Sequence, residues 1–349
     1  MNLNIMKEET LQKIAESVNE TNVYLKSIAR KEKFDITSFK TVQDIVAAGL
    51  AKKYFSVGDQ FITTWTDIVA DKTYDWVWGV RDFVDCELPD GSIVPGMVIQ
   101  ADYASPHSVQ FDHEENETAT ESTFTSGYFY YTKNDDGSYK LNDVTYGDAI
   151  SSDTTYYHSS IKDPTGNICR YGYNRWSHSA YRQYLNSDKG KGEWWTAQHL
   201  GNVAPSQLNQ YAGFLSGFSQ DFLDVIGPVK VTTVLNTITD SALGDREYTY
   251  DTMFLPSIEE MYGAPQLAGA EGEAWLYWKE ATELSTPNNG SNTGRITYAL
   301  DNQKSAQSVR LRSAYRGNSY YVWNVYATGS LYNSNAYHAY RCAPACIIH

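Results

Sequence analysis

Two cysteines four residues apart, Cys342 and Cys346 in Arg-Cys-Ala-Pro-Ala-Cys, could supply half of a metal site. No second Cys/His pair with zinc-like spacing stands near them. With Cys86 and Cys169 they make four thiols, too few and too scattered for a small disulfide scaffold, so buried free thiols are expected. His107, Asp112, His113 and Glu114 form the next cluster, since imidazoles and carboxylates close together invite metal ligation. The two histidines are six positions apart, which suits neither the i, i+4 spacing of a helix nor a two-residue turn. No metal and no other cofactor is expected. Asp135-Asp136 in Asn134-Asp135-Asp136-Gly137 could touch calcium, but an EF-type loop needs a carboxylate at its far end, so a tight hairpin turn is the better reading. The Gly-x-Ser-x-Gly elbow, His-Glu-x-x-His, the Walker loop and Gly-x-Gly-x-x-Gly are all absent. A glycosidase needs only two carboxylates and acidic residues abound, yet no pair stands out, and no enzyme activity is expected.

The remaining chemistry is that of recognition. From Arg310 to His349 the chain is rich in Tyr, Asn and Ser: seven of its 28 tyrosines lie in the 26 positions from 315 to 340, where about two follow from the chain-wide frequency. No Asp or Glu follows Asp301, so an acidic protein ends in a mildly basic, amide-rich segment. Tyr gives a large contact area with few torsions to freeze, while Ser, Asn and Gly give adaptable hydrogen bonding, which is the composition of antibody paratopes. A Tyr-rich strand pair is the plain alternative; Asn and Gly disfavour it. Within the segment Ala314, Val322, Trp323, Val325, Leu331, Ala336 and Ala339 read as a frame. The residues interleaved with them, Ala327 apart, are Tyr, Asn, Ser, Thr, Gly, Arg or His, all reachable by changing adenines in an Asn codon.

This interleaving resembles the variable region of diversity-generating retroelement target proteins, in which adenine-specific mutagenesis rewrites Asn-rich codons. Leu311-Arg312-Ser313-Ala314, Val322-Trp323-Asn324-Val325, Gly329-x-Leu331 and Arg341-Cys342-Ala343-Pro344-Ala345-Cys346 look like that family's fixed frame. More weakly, Asn174-Arg175-Trp176 to Tyr184-Leu185-Asn186, Phe222-Leu223 and Phe254-Leu255-Pro256-Ser257 are similar to the wider domain, back to about residue 51. The resemblance implies an α+β C-type lectin-like fold of the formylglycine-generating-enzyme type over 51–349. It implies a ligand site at Tyr315, Arg316, Gly317, Asn318, Ser319, Tyr320, Tyr321, Asn324, Tyr326, Thr328, Ser330, Tyr332, Asn333, Ser334, Asn335, Tyr337, His338 and Tyr340. The calcium–sugar motifs of animal C-type lectins are absent, because Trp323-Asn324 runs into Val325. The implied function is that of a receptor-binding protein on a phage tail fibre, its partners a bacterial cell-surface receptor, sister chains and other virion proteins. The alternatives are a bacterial cell-surface location, an enzyme on the same scaffold, either a formylglycine-generating-type oxidase using Cys342 and Cys346 or a carbohydrate-active enzyme, or a structural virion protein.

The elements that must position such a surface are these. Leu11, Ile14, Val18, Thr21, Leu25 and Ile28 alternate at steps of three and four, an a/d seam with one polar intruder that predicts an oligomerising helix within 1–33 or, as the plain alternative, an amphipathic helix docked on its own domain; the receptor-binding reading adds a homotrimer as the expected assembly. A helical linker over 34–50 carries a helix from Ser38 stopped by Gly49. Short β-type runs follow at Tyr54–Val57, Gln60–Trp65, Trp76–Phe83 and Gly96–Ala101, with a solvated loop at 113–125 and a hairpin of Gly127–Lys133 on Ser138–Val144. Helical spacing recurs at Trp176, Ala180, Tyr184 and Leu185 and at Gln220–Ile226. A strand is expected at Val229–Ile238, another at Met253–Pro256, and a capping box at Ser257 and Glu260. Trp194, Trp195, Trp275 and Trp278 are expected to fill core or support loops. The 349 residues and 42% hydrophobic content suffice for a large core. A net charge of −14 opposes a phosphate-binding surface, so no nucleic acid is expected. No run is long enough for a bilayer span, and Met1–Glu9 lacks the apolar stretch of a signal peptide, so membrane insertion and classical secretion are not expected and a virion location is favoured.

Overall fold

In the computed structural model, residues 38–113, 172–197, 203–237, 240, 243–263, 266–281 and 293–349 are described, together with the backbone of five short strands between 114 and 171. The predicted heptad helix of 1–33 and the solvated loop beyond 113 lie outside the described residues.

The first helix, α1, spans Phe39–Ala47 and ends where Gly49 takes φ +71, as its glycine stop predicts. Its apolar face, Phe39, Val42 and Val46, is buried. The stretch read as a linker is thus packed against the main core, with Phe39 edge-on to Phe222 at 5.1 Å. Tyr54–Val57 is not a strand. Ala51–Tyr54 forms one more helical turn, and Phe55 turns inward onto Phe61 at 5.5 Å.

Three strands follow: β1 (Gln60–Asp67), β2 (Lys72–Glu87) and β3 (Ile93–Ala101). Alternation along β1 sends Phe61, Thr63 and Trp65 inward and Gln60, Ile62 and Thr64 outward. The β1–β2 register sets Thr63 opposite Trp76 and Phe61 opposite Trp78. Thr63 accepts the Trp78 indole N–H at 2.9 Å, which satisfies a polar atom inside the aromatic layer. That layer extends through Trp65, Phe214, Phe218 and Phe222. The C-terminal strand Ala345–Ile348 (β9) pairs antiparallel with β3, giving the order β1-β2-β3-β9. The end of the chain is therefore a structural strand. Cys86, Cys342 and Cys346 are buried and free, as expected of core thiols.

A two-stranded sheet of β4 (Val229–Val234) and β5 (Arg246–Asp251) lies beyond. β4 is shorter than the predicted Val229–Ile238, and at Met253–Pro256 only Phe254 bridges to Ala345. The helical pattern after Arg175 splits at Ser179 into a 3₁₀ turn, Trp176–His178, and a helix, Ala180–Leu185, capped by the Ser179 hydroxyl. Its predicted inward residues Trp176, Ala180, Tyr184 and Leu185 are all fully buried. The Gln220–Ile226 pattern yields a helix over Gln220–Leu223. The capping box forms at Ser257 and Glu260, with Gly263 at φ +58 closing the helix Ile258–Tyr262. Trp194, Trp275 and Trp278 are buried, and Trp195 is half-buried. Strands at Thr132–Lys133 and Tyr139–Leu141 pair as the predicted hairpin requires.

The C-terminal segment forms a third sheet, of order β6 (Val309–Ala314), β7 (Tyr321–Val325) and β8 (Leu331–Asn335). The molecule is a mixed α+β fold of small, mostly antiparallel sheets with few helices. Among the described residues no helix is long and apolar enough to cross a membrane.

Candidate functional site

The three-stranded sheet separates two kinds of residue. The frame positions Ala314, Val322, Trp323, Val325, Leu331 and Ala336 are buried, while Ala339 is exposed. Between them, Gly317, Thr328, Tyr332 and His338 are exposed. Tyr315, Arg316, Tyr321, Tyr326, Ser330, Asn333, Asn335, Tyr337 and Tyr340 are half-buried. Five expected ligand positions, Asn318, Ser319, Tyr320, Asn324 and Ser334, are buried and fall outside the surface as it stands.

Three of these departures have a local cause. The Asn318 carboxamide oxygen accepts the backbone N–H groups of Tyr320 and Tyr321 at 2.7 and 2.9 Å, so it builds the turn before β7. Asn324 sits on the central strand, between Arg310 and Tyr332. Ser334 hydrogen-bonds the Tyr340 hydroxyl at 3.0 Å. Tyr326 and Tyr332, by contrast, stack at 4.5 Å with Tyr332 46% exposed, a ring pair presented to solvent.

The backbone of this segment is held by side chains outside it. The buried Asn174 carboxamide donates to the carbonyls of Asn318 (2.6 Å), Tyr321 (2.9 Å) and Tyr315 (3.3 Å), and its backbone N–H donates to Ser319 O (3.0 Å). Asn236 fixes Asn174 from behind, donating to its side-chain oxygen at 3.0 Å. Thr237 donates twice to Arg316 O, at 2.8 and 2.9 Å. Gln110 holds Tyr337 O, Tyr181 holds Tyr340 O, Tyr262 holds Gly329 O, and Gln266 holds Ala314 O. Backbone carbonyls are common to all residues, so these contacts are indifferent to the side chains displayed.

Two buried arginines complete the anchoring. Arg310 donates to the carbonyls of Val322, Ser334, Asn335 and His338 at 3.0–3.3 Å, under the Tyr340 ring at 4.5 Å. Burial without an acid partner pulls its pKa down to about 10. Arg312 makes a two-pronged pair with Glu260 at 2.6 and 2.8 Å and donates to the carbonyls of Leu255, Thr232 and Glu271. Burial works against its charge, but Glu260 and Glu271 outweigh it and raise its pKa. Burial lifts the Glu271 carboxyl to about 7, although Arg312, Ser313 and the Val234 N–H favour its ionised form.

The clusters first considered for metal or catalysis go elsewhere. His107 is buried, bonded to Asp67 at 2.6 Å and to the Tyr184 hydroxyl at 2.8 Å, and stacked on Tyr211 at 3.7 Å. Burial lowers its pKa despite Asp67. His113 bonds Gln110 instead. No group of three or more His, Cys, Asp or Glu could hold a metal among the described residues. Burial drives the Cys342 thiol up to about 11 and Cys346 well above its usual value, the wrong direction for a thiolate nucleophile. A groove of about 770 Å³ between β2, β4 and residues 271–279 has Glu260, Glu271 and Arg312 in its lining. Its Glu87 is paired with Lys230 at 2.9 Å and its Glu260 with Arg312, so these acids are committed to structure.

None of the anchoring residues announces itself locally. Asn174, Arg310 and Arg312 stand in the quoted motifs or at the segment's start, but their partners lie up to 147 positions away. Gln110, Thr237 and Gln266 carry no sequence signal at all.

Fold and site together define a mixed α+β protein that carries a backbone-anchored, Tyr/Asn/Ser-rich sheet at its C-terminal end. The chain belongs to the family described as a domain of unknown function (DUF6273), whose model matches residues 149–349, more than half of its length. No curated protein and no solved structure matches it significantly.

Proposed function

We propose that this is a ligand-display protein, a receptor-binding protein of a phage tail fibre whose exposed C-terminal side chains are exchanged by a retroelement. The observation that carries this reading is the division of labour in 314–340. The backbone is held through its carbonyls by Asn174, Arg310, Thr237, Gln110, Tyr181, Tyr262 and Gln266. Exposed and half-exposed side chains are then free to change without altering the fold. The display set is narrower than the interleaving implies, because Asn318, Ser319, Tyr320, Asn324 and Ser334 are buried. A C-type lectin-like fold of the formylglycine-generating-enzyme type belongs to this proposal, as do homotrimer formation through residues 1–33 and a virion location. Joined sister chains let several modest sites hold one repetitive cell surface by avidity.

The test is genetic and then biochemical. The gene should be flanked by reverse-transcriptase and template sequences that near-repeat the codons for 310–349, and purified protein should bind a bacterial host's surface. Exchanging Tyr332, Tyr337 and His338 should change which cells are bound. Absence of the template repeat would sink the retroelement part. Unaltered adsorption after the exchange would sink the display part.

A further inference from the structure

Buried polar groups almost always have partners, so a cluster of exceptions asks for a cause. In the display sheet Arg310 Nε and both polar atoms of the Asn324 carboxamide have no hydrogen-bond partner within the protein, although Arg310 and Asn324 are fully buried. The two are direct cross-strand neighbours on β6 and β7, so their side chains share one face of the sheet. Tyr332 lies opposite Asn324 on the next strand, and Tyr340 covers the guanidinium. Among the described residues no Asp or Glu pairs with Arg310; its other hydrogen bonds all go to neutral carbonyls. A buried guanidinium without an acid, beside an N–H and an NH₂ that point to nothing, is the donor half of a carboxylate site.

We infer that Arg310 and Asn324 form the floor of a subsite for a ligand carboxylate, bordered by the rings of Tyr332 and Tyr340, and that the carboxylate is an acidic side chain of a protein receptor. The inference rests on the display reading and deepens it. Arg310 Nε–H and Asn324 Nδ2–H would each donate to one carboxylate oxygen, with Asn324 Oδ1 left for a donor on the ligand. Arg310 and Asn324 are closed off from solvent, so entry needs displacement of the rings beside them, Tyr332, 46% exposed, and Tyr340. The Tyr/Ser/Asn rim has paratope composition, which favours protein over glycan. The acidic chain of net charge −14 has no Asp or Glu of its own after Asp301 to occupy the site.

Isothermal titration of the full-length protein with N-acetyl-aspartate amide, N-acetyl-asparagine amide and glucuronate tests this. The aspartate probe should bind at least about tenfold more tightly than its neutral isostere, as expected when charge-assisted bonds are lost. Asn324→Leu should weaken it about tenfold or more while folding is retained, and Ile93→Ala, at an exposed position on another sheet, should leave it unchanged. Equal binding of the aspartate and asparagine probes, no binding of either, or binding of glucuronate alone would overturn the assignment. Aspartate binding without any retention on cells would leave the subsite standing and remove the receptor reading. Cell retention that survives Asn324→Leu, with no probe binding, would do the reverse.

Discussion

Asn174→Ala is the sharpest perturbation of the anchoring scheme. The native carboxamide donates to the buried Asn318 O at 2.6 Å and to Tyr321 O at 2.9 Å, and accepts from Asn236. Alanine strands Asn318 O, at about 1–3 kcal/mol, and removes one of two donors to Tyr321 O, which keeps the Tyr315 N–H, at about 0.5–1.5 kcal/mol, so the loss should be about 1.5–4.5 kcal/mol. At a urea slope of about 3 kcal/mol/M, the midpoint falls by about 0.5–1.5 M. The comparison that gives this number meaning is on the display face. Thr328→Ala should lie within about 0.5 kcal/mol of the parent, and Tyr332→Ala within about 1 kcal/mol, since its exposed ring gives up its stacking on Tyr326 and the hydrogen bond between the two side chains. Urea unfolding followed by tryptophan fluorescence, at one fixed protein concentration, measures all three. An Asn174→Ala midpoint indistinguishable from the parent, or a Tyr332→Ala loss just as large, would refute the argument that the segment is held by its backbone.

Two further expectations concern the charges beneath the sheet. Arg312→Ala leaves Glu260 buried without its two-pronged partner and should cost about 3–5 kcal/mol, read as lost soluble yield or a lowered urea midpoint; Arg312→Ala with Glu260→Gln should recover part of the loss. Glu271 should make stability fall with rising pH. Its folded pKa of about 7 lies above the ordinary 4.5, so between these values the unfolded chain has lost the proton that the folded chain keeps. The contribution is complete below about pH 4.5 and gone above about 7, about 3 kcal/mol across the window. Glu271→Gln should flatten that part of the stability profile between pH 5 and 7, and an unchanged slope would contradict the assignment.

Much of the scaffold was legible because it rests on local rules. The alternation in β1, the Gly49 stop and the Ser257–Glu260 box each depend on a few neighbouring residues, and each formed. Tyr54–Val57 misled because a run with aromatic and β-branched residues has strand propensity, while its first residue completes a helical turn. The frame within 314–336 was legible from residue type, since small and apolar residues there had to face inward; Ala339, small enough for either side, was not. The burial of Asn318 and Asn324 was not legible, because asparagine builds turns and interiors as readily as surfaces. Nor was the role of Asn174, Gln110 and Thr237, whose partners are brought near only by the completed fold.

The most direct test of the account is to sequence many copies of this gene from one lineage and map substitutions over 310–349 and over the anchors. The account predicts amino-acid changes at adenine-bearing codons of the exposed and half-exposed positions, such as Tyr326, Thr328, Tyr332, Tyr337 and His338. Asn174, Arg310, Arg312, Val322, Trp323 and Leu331 should stay constant. Changes spread evenly along the chain, or falling on the anchors as often as on the exposed tyrosines, would contradict it.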